Sequence, residues 1–323
     1  MVFQKAHDRL VPESRPNPSP EGHQVLLKVD ACGVCRTDLH VQDAELTGLQ
    51  YPIIPGHQVV GAVRAAGNDS MVSEGSRVGV AWLGWTCGEC EYCRTQRENL
   101  CDRAQFHGHQ IDGGYADHML VDSRYCFELG PSQPAAEIAP LLCAGLIGFR
   151  SLRMAGDARR IGIYGFGSAA HIITQVATHQ NRNIYAFTRP GDISAQEFAR
   201  ELGAVWASGS DTSPPDRLDA ALIFAPEGQL VPKALKDLKK GGRLVCGGIH
   251  MTDIPSFPYA DLWGERRIQS VANLTRQDGK DFMSLASELH IHPKITTYAM
   301  EDANQALDDL RHGRINGTAV LTM

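Results

Sequence analysis

The sequence has no long apolar run, since no stretch approaches the roughly 20 apolar residues that a membrane-spanning helix needs. Its first residues, MVFQKAHDRLVPESRPNPSP, hold no apolar segment of the kind found in secretory signal peptides. It also has no basic excess, because 31 Lys and Arg face 37 Asp and Glu and the net charge is -6. These absences argue against a membrane span, secretion, and nucleic acid or an anionic membrane as the main partner. We therefore expect a cytoplasmic protein.

Disulfides are also unexpected, although nine cysteines are present in the 323 residues. The number is odd, and the chain shows no export signal that would take it to an oxidising compartment. Clustered cysteines in a reducing compartment are better interpreted as metal ligands or catalytic groups. The length allows one large domain or two ordinary ones, and the apolar share of 43% is normal for a globular protein.

Four cysteines lie in the short polar stretch TCGECEYCRTQRENLC, which covers residues 86–101. They are Cys87, Cys90, Cys93 and Cys101, with the spacing C-x2-C-x2-C-x7-C. This spacing lets four thiolates surround one zinc ion tetrahedrally, and such a site has no open position, so its role is structural. The polar loop cannot order itself by burying apolar surface, so the metal would supply its folding energy. Free or disulfide-linked cysteines and an iron–sulfur cluster are the alternatives.

The hydrophobic pattern changes near residues 144–158, where we place a domain boundary. Before it, short strand-like runs such as VLLKVDACGV, RVGVAWLGW and ADHMLVDSRYCFEL are separated by Gly-rich loops. The segment PAAEIAPLLCAGLIGFRSLRMAG then has helical spacing, and strands alternate with helices after it, LVPKALKDLKKGG being one of the predicted helices. This alternation predicts the parallel sheet of a doubly wound α/β domain. The last residues predict a helix and a final strand that rejoin the first domain.

The stretch IGIYGFGSAAHII carries a G-x-G-x-x-A turn formed by Gly165, Gly167 and Ala170. The first glycine permits a tight turn, the second lets the backbone approach a pyrophosphate, and the small third residue allows close helix packing. Because the motif follows a predicted strand and opens a predicted helix, it indicates dinucleotide binding. A glycine-rich turn in an unrelated α/β sheet is the alternative.

The next predicted strand, NIYAFT, ends with Thr188 and continues with Arg189. An NAD enzyme usually has an acidic residue here for the ribose hydroxyls, and this chain has none. The Arg189 guanidinium can bind a 2′-phosphate, with the Thr188 hydroxyl beside it, which favours NADP over NAD. The alternatives are an outward-facing Arg189 with NAD held by other contacts, and Asp192 reaching back to a ribose.

Three more potential ligands come from separate segments: Cys35 in ACGVCRTDLH, His57 in IIPGHQVVG and Cys143 in APLLCAGLIG. Two thiolates and one imidazole leave the fourth position of a zinc ion open, as in a catalytic site. Taken alone, a cysteine in an apolar helix, such as Cys143, is more often a core residue, and His57 after a glycine fits an ordinary turn residue.

The motifs ACGVCRTDLH, PGHQVVG, CGECEYCRTQRENLC, APLLCAG and IYGFGSAA occur in one order along the chain, and WGERRIQSVANLTR follows them. In this order the sequence resembles the zinc-dependent medium-chain alcohol dehydrogenases, in particular their bacterial branch, over essentially its whole length. The resemblance implies a GroES-like β-rich catalytic domain over residues 1–146 with both zinc sites, and a Rossmann domain over residues 147–271. Residues 272–323 would return to the catalytic domain, and the active site would lie in the cleft between the domains.

The resemblance also implies a role for each matching residue. The catalytic zinc ligands would be Cys35, His57 and Cys143, and the structural zinc ligands Cys87, Cys90, Cys93 and Cys101. Arg36 and the glycine turn would contact the cofactor, Thr37 and His40 would relay a proton, and Asp38 would support the zinc histidine. Trp82 would narrow the substrate pocket. A surface histidine without a relay role remains the alternative for His40.

The function implied is reversible hydride transfer between small primary alcohols or aldehydes and a nicotinamide cofactor, with two zinc ions per chain. A homodimer or homotetramer is expected. Gln58 departs from the family, many members of which carry Glu after the zinc histidine, and the glycine motif ends in Ala170. Alternatives are an aldehyde reductase or polyol dehydrogenase of the same superfamily, a zinc-free quinone or enoyl reductase, and a non-enzymatic NADP-binding relative.

Overall fold

The strands form one mixed sheet, one small ribbon and one parallel sheet in the computed structural model, which describes residues 1–131 and 133–323. In chain order the strands are β1 (Gln24–Val34), β2 (Val59–Ala66), β3 (Arg77–Val80), β4 (Leu83–Trp85), β5 (Gln105–Phe106), β6 (His118–Asp122), β7 (Cys126–Glu128), β8 (Arg160–Tyr164), β9 (Asn183–Thr188), β10 (Trp206–Gly209), β11 (Leu218–Ile223), β12 (Leu238–Cys246), β13 (Arg267–Ser270), β14 (Ile295–Ala299) and β15 (Thr318–Thr322).

The helices are mostly short. They are α1 (Arg36–Gln42), α2 (Glu91–Arg94), α3 (Ala135–Ile138), α4 (Ala144–Met154), α5 (Ser168–His179), α6 (Ile193–Glu201), α7 (Leu230–Asp237), α8 (Tyr259–Leu262), α9 (Arg276–Glu288) and α10 (Ala303–Arg311). Four 3₁₀ turns, Glu98–Leu100, Ser123–Tyr125, Ala139–Leu142 and Met300–Asp302, connect other elements. No single helix in the described ranges is long and apolar enough to cross a membrane, although the broken pair α3–α4, with its 3₁₀ turn, passes on length and composition alone.

The chain divides into two units. The first comprises Met1–Cys143, Asn273–Ser287 and His292–Met323, and the second comprises Ala144–Ala272 and Glu288–Ile291. In the first unit, the mixed sheet has the order β14-β15-β1-β2-β3-β7, with β6 also pairing with β1. The ribbon β4-β5 is separate from it. Val25, Leu27 and Val29 of β1 are fully buried at alternate positions, as expected for a strand with one face in a core.

The second unit is built on a parallel sheet in the order β10-β9-β8-β11-β12-β13. The order reverses between β8 and β11, which is the switch point where doubly wound folds bind ligands. Apolar side chains such as Ile161, Ile163 and Ile223 fill the sheet and are fully buried. The predicted fold class, a β-rich part followed by a doubly wound parallel sheet, is confirmed.

Several predicted elements differ in the structure, and ADHMLVDSRYCFEL is two strands, β6 and β7, separated by a 3₁₀ turn. RVGVAWLGW is two strands in different sheets rather than one, and His107 binds the carbonyls of Ala81 and Trp82 at the break. The helical segment around Cys143 is interrupted, because Pro140 lies in a 3₁₀ turn between α3 and α4. The sequence LKKGG does not continue α7 but begins β12, and Gly241 there has a φ of 73°.

Candidate active site

Cys35, His57 and Cys143 come together in the first unit. Their potential ligand atoms all lie within 4.8 Å of one another, and the Cys35 Sγ is 3.2 Å from the His57 Nε2. His57 is 1% exposed, and both cysteines are partly buried. The structure therefore brings the three sequence-predicted ligands into one cluster.

Each of the three side chains lies in a break between regular elements. Cys35 follows β1 and caps α1, and its Sγ accepts a hydrogen bond from the Thr37 N–H at 3.3 Å. His57 follows Gly56, whose φ of 97° suits glycine, and a Cβ there would lie 2.4 Å from the Tyr115 ring. Cys143 ends the 3₁₀ turn before α4. Breaks in the backbone pattern thus turn all three ligands toward one point.

Asp38 holds Cys35 and His57 of the cluster in position. Its side chain is buried and accepts hydrogen bonds from the backbone N–H groups of Cys35 at 2.8 Å and Gly56 at 3.2 Å. The His57 Nδ1 lies 3.5 Å from the Asp38 Oδ1, and the Tyr115 hydroxyl donates to Asp38 at 3.4 Å. Because the His57 Nδ1 faces this carboxylate, the Nε2 is directed at the sulfur atoms.

The electrostatics of the cluster favour a thiolate at Cys35. A hydrogen bond from the Cys143 thiol, aided by His57 and opposed by burial, holds the pKa of Cys35 well below its ordinary value. The same hydrogen bond, together with burial, raises the pKa of Cys143. Burial disfavours charge on His57, but the Cys35 thiolate and the Asp38 carboxylate raise its pKa to about 10.

This donor set fits a zinc ion. A divalent cation would take the place of the proton that the two thiols share and of the extra imidazole proton, leaving two thiolates and a neutral imidazole as ligands. Three protein ligands with one position left for a small molecule is the arrangement of catalytic zinc sites. The Asp38–His57 pair adds the carboxylate–imidazole support that metal-bound histidines commonly have.

The second cluster is formed by Cys87, Cys90, Cys93 and Cys101, whose Sγ atoms also lie within 4.8 Å of one another. The Cys90 N–H donates to the Cys87 Sγ at 3.4 Å. A hydrogen bond from the backbone of Glu89 is the largest of the contacts that lower the pKa of Cys87 to about 6. Four thiolate donors and no other ligand type fit a closed, structural zinc site, as predicted.

Aromatic rings border the Cys35–His57–Cys143 cluster. The Trp82 ring lies 6.3 Å from the His57 ring and stacks on Phe106 at 4.2 Å between centroids. Trp82 was predictable from the sequence, whereas Phe106 and Tyr115 were not, because only the tertiary fold brings them here. Gln58 is fully buried, and its side-chain amide has no hydrogen-bond partner in the described part of the chain.

The residues with predicted roles beside Cys35 all lie on α1. Arg36 is exposed, whereas Thr37 and His40 are 9% and 7% exposed. The His40 Nδ1 contacts the Glu45 carboxylate. Glu45 lies after the end of α1, and no sequence motif ties it to His40.

The glycine turn lies at the switch point of the parallel sheet, directly after β8. Gly165 has a φ of 90°, and a Cβ on it would lie 2.7 Å from the Ala225 backbone nitrogen. Gly167 caps α5, and a Cβ there would meet no atom within 4 Å, so a ligand can approach its backbone closely. Ala170 is fully buried, in line with a packing role. This geometry suits the pyrophosphate of a dinucleotide.

Thr188 ends β9, and its hydroxyl is engaged within the chain. It donates to the Arg189 carbonyl at 3.0 Å and accepts from the Gln196 side chain at 3.2 Å. Arg189 is exposed. Asp192 caps α6 by accepting from the Ala195 N–H at 3.0 Å.

Comparison with known proteins agrees with this geometry. The model of the alcohol dehydrogenase GroES-like domain matches residues 21–131. The chain is 44% identical over 315 residues to a probable alcohol dehydrogenase AdhA of Mycobacterium tuberculosis, covering 94% of this chain and 90% of that protein.

Solved structures share the fold. An acetophenone reductase from Geotrichum candidum in complex with NAD has a TM-score of 0.84 at 26% identity, covering 95% of this chain and 92% of the other. A cobalt- and zinc-bound thermostable alcohol dehydrogenase from Pyrobaculum aerophilum has a TM-score of 0.90 at 22% identity, covering 100% and 98%. The chain therefore belongs to the medium-chain zinc alcohol dehydrogenase family and is an NAD(P)-dependent oxidoreductase of alcohols.

Proposed function

We propose that the chain interconverts small primary alcohols and aldehydes at the site formed by Cys35, His57 and Cys143. The convergence of these three ligand atoms within 4.8 Å, separate from the four-cysteine cluster, carries the proposal. We assign residues 1–146 and 272–323 to the catalytic domain and residues 147–271 to the cofactor domain.

The chain's own residues hold the metal and move the proton. When bound, zinc supplies a Lewis acid that acidifies a substrate hydroxyl, and the nicotinamide supplies the hydride acceptor. Asp38 keeps the His57 Nε2 directed at the metal position. Thr37, two residues from Cys35, accepts the substrate's hydroxyl proton at its Oγ1 while it releases its own hydroxyl proton, and the relay delivers a proton to the His40 imidazole.

Cofactor binding involves Arg36, the Gly165–Gly167 turn and the end of β9, and NADP is the preferred cofactor. The exposed Arg189 guanidinium supports this preference, since it can bind a 2′-phosphate bidentately. The Asp192 carboxylate already caps α6, so it is not the unengaged acidic residue expected for NAD. Thr188 contributes by positioning the turn, because its hydroxyl bonds within the chain.

The substrate side is narrow. Trp82 lies beside the zinc histidine and is held by its stack on Phe106 at 4.2 Å. A bulky indole there favours small or slim alcohols.

The active molecule is a homo-oligomer, either a dimer or a tetramer. Strand β13 is the last strand of the parallel sheet, and its Ile268 is 36% exposed. Tyr259 and Trp263, shortly before it in the chain, are 72% and 61% exposed. Exposed aromatic side chains near an unpaired sheet edge favour pairing with a second copy.

Replacing Cys35 with Ser tests the proposal. Wild type is expected to hold about two zinc ions per chain and the variant about one, because only the three-ligand site is damaged. Loss of a Lewis acid worth several kcal/mol lowers alcohol oxidation on the order of a thousandfold. Cys126→Ser is the matched control, since Cys126 lies in neither cluster. Undiminished turnover by the Cys35 variant would refute the proposal.

A further inference from the structure

His40 is enclosed by the protein rather than open to water. Its side chain is 8% exposed, although it lies near the end of a helix. Its neighbours Leu39 and Val41 are also buried, at 2% and 1% exposed. A proton on the His40 ring therefore needs a further group to reach bulk solvent.

Glu45 is that group by geometry. Its Oε2 contacts the His40 Nδ1, and its side chain is 43% exposed, so the carboxylate touches both the buried ring and water. The Glu45 backbone N–H also donates to the His40 carbonyl at 2.9 Å. The contact is thus fixed through both backbone and side chain.

The backbone between the two residues adopts an uncommon conformation that makes this contact. Ala44 has a φ of 55°, in the left-handed region that favours glycine. This turn folds the chain back over the end of α1 and brings Glu45 over His40. A non-glycine residue in that region persists only where the surrounding structure requires it.

The charged groups that the structure describes around the His40–Glu45 pair do not engage the Glu45 carboxylate in a second ion pair. From the facing helix α10, Arg311 pairs with Asp43 at 2.7 and 2.8 Å and lies within electrostatic reach of Glu45 and Asp308. Asp308 itself pairs with Arg9 at 3.3 Å. Among the described residues, Glu45 forms an ion pair with His40 alone.

We propose that Glu45 is the outlet of the proton path that begins at the substrate hydroxyl, which rests on the proposed function. During alcohol oxidation the Nδ1–H bond of the protonated His40 breaks and an O–H bond forms at the Glu45 Oε2. The carboxylic acid then loses this proton to water, and the reverse sequence supplies a proton during aldehyde reduction. No electrons are transferred in this step.

Glu45→Gln removes the proton acceptor while keeping the size of the side chain. In weak buffer we expect kcat for alcohol oxidation to fall by roughly tenfold or more, with recovery when imidazole or formate is added. The dependence of kcat on pH is expected to change with it. Asp43→Asn is the matched control, because it removes a carboxylate two residues away that pairs with Arg311, and it should stay within about twofold of wild type.

A second measurement does not depend on turnover. The proton NMR signal of the His40 Nδ1–H, bonded to a carboxylate in wild type, should shift upfield or vanish in Glu45→Gln and persist in Asp43→Asn. If wild type is active and Glu45→Gln matches it in every buffer, or loses activity that no added acid or base restores, the outlet is refuted. If zinc-loaded wild type oxidises no primary alcohol at all, the proposed function fails, and the outlet with it.

Discussion

His107 shows how one buried side chain makes stability depend on pH. Its Nδ1 bonds to the Ala81 carbonyl at 2.8 Å, while its Nε2 has no hydrogen-bond partner among the described residues and lies against Gly84. Burial lowers the pKa of His107 to about 4. The folded protein therefore keeps this ring neutral through mildly acidic conditions.

The unfolded chain protonates His107 below pH ~6.5, whereas the folded protein does so only near pH ~4. The free energy of unfolding should therefore be highest above pH ~6.5 and should decrease as the pH is lowered from ~6.5 to ~4. The His107 contribution to this decrease is about 3 kcal/mol. Urea unfolding at several pH values measures the slope. His107→Asn, which can still donate to Ala81, is expected to have a shallower slope over this window; an identical slope would contradict the assignment.

Arg189 is predicted to set cofactor choice. Arg189→Ala should lower kcat/KM for NADP by about 10- to 100-fold, because a charge-assisted contact with the 2′-phosphate is lost. The value for NAD should change by less than about threefold, since that cofactor has no 2′-phosphate. Arg160→Ala, in the same unit but at the start of β8, controls for loss of positive charge. A wild-type preference for NAD of tenfold or more would contradict the prediction.

At the scale of elements, the start of α1 both caps the helix and contributes to the metal-ligand cluster. The Cys35 Sγ accepts from Thr37 and the Asp38 carboxylate accepts from Cys35, so the residues that begin the helix also build the metal cluster. Capping satisfies backbone N–H groups that have no partner within a helix. Damage to this helix start therefore also displaces a metal ligand.

Asp38→Asn tests that link. The amide keeps the shape but loses the charge that orients His57, so zinc affinity at Cys35, His57 and Cys143 should fall by about 10- to 100-fold. Zinc held by the four-cysteine cluster should be unaffected. Chelator competition, followed by zinc content, separates the two sites. Asp192→Asn, which removes the equivalent carboxylate cap from α6, should leave both affinities unchanged.

Regular elements were predictable where one periodicity runs without interruption. The β8–α5–β9 segment matches its prediction because apolar spacing and the glycine turn point the same way. The interruption at Cys143 was not predicted, since apolar residues continue on both sides and only Pro140 hints at a break. LKKGG was assigned to a helix because Lys and Leu favour helices, whereas pairing of Leu238 with Leu218 places it in β12.

At the scale of the whole molecule, the ligands were predictable as residue types, but spacing alone did not predict that they converge. Cys35, His57 and Cys143 matched family motifs, which supplied what spacing alone left open. The partners that orient or border them, such as Tyr115 and Phe106, lie far away in sequence and depend on the tertiary fold. Glu45 was missed for a local reason, because a left-handed Ala44 has no reliable sequence signal.

Self-association is the prediction for the assembled molecule. Ile268→Glu places a charge on the edge strand β13 and should shift the oligomer toward smaller species, because burying an unpaired charge in an interface is costly. Sedimentation velocity measures the change. Ile193→Glu is the control, because Ile193 is also exposed, at 57%, but lies away from β13, and this variant should leave the assembly intact. An unchanged oligomer in the Ile268 variant would place the interface elsewhere.

The two metal clusters differ in how far apart their ligands lie along the chain. The four cysteines from Cys87 to Cys101 lie close together in the sequence. A chain that is still being synthesised can therefore form this four-cysteine cluster early and at small entropic cost. Cys35 and Cys143 are separated by most of the first unit, so bringing them together closes a longer loop at a larger entropic cost. We would then expect the four-cysteine cluster to bind its zinc ion first, and the Cys35–His57–Cys143 cluster to bind its zinc ion later.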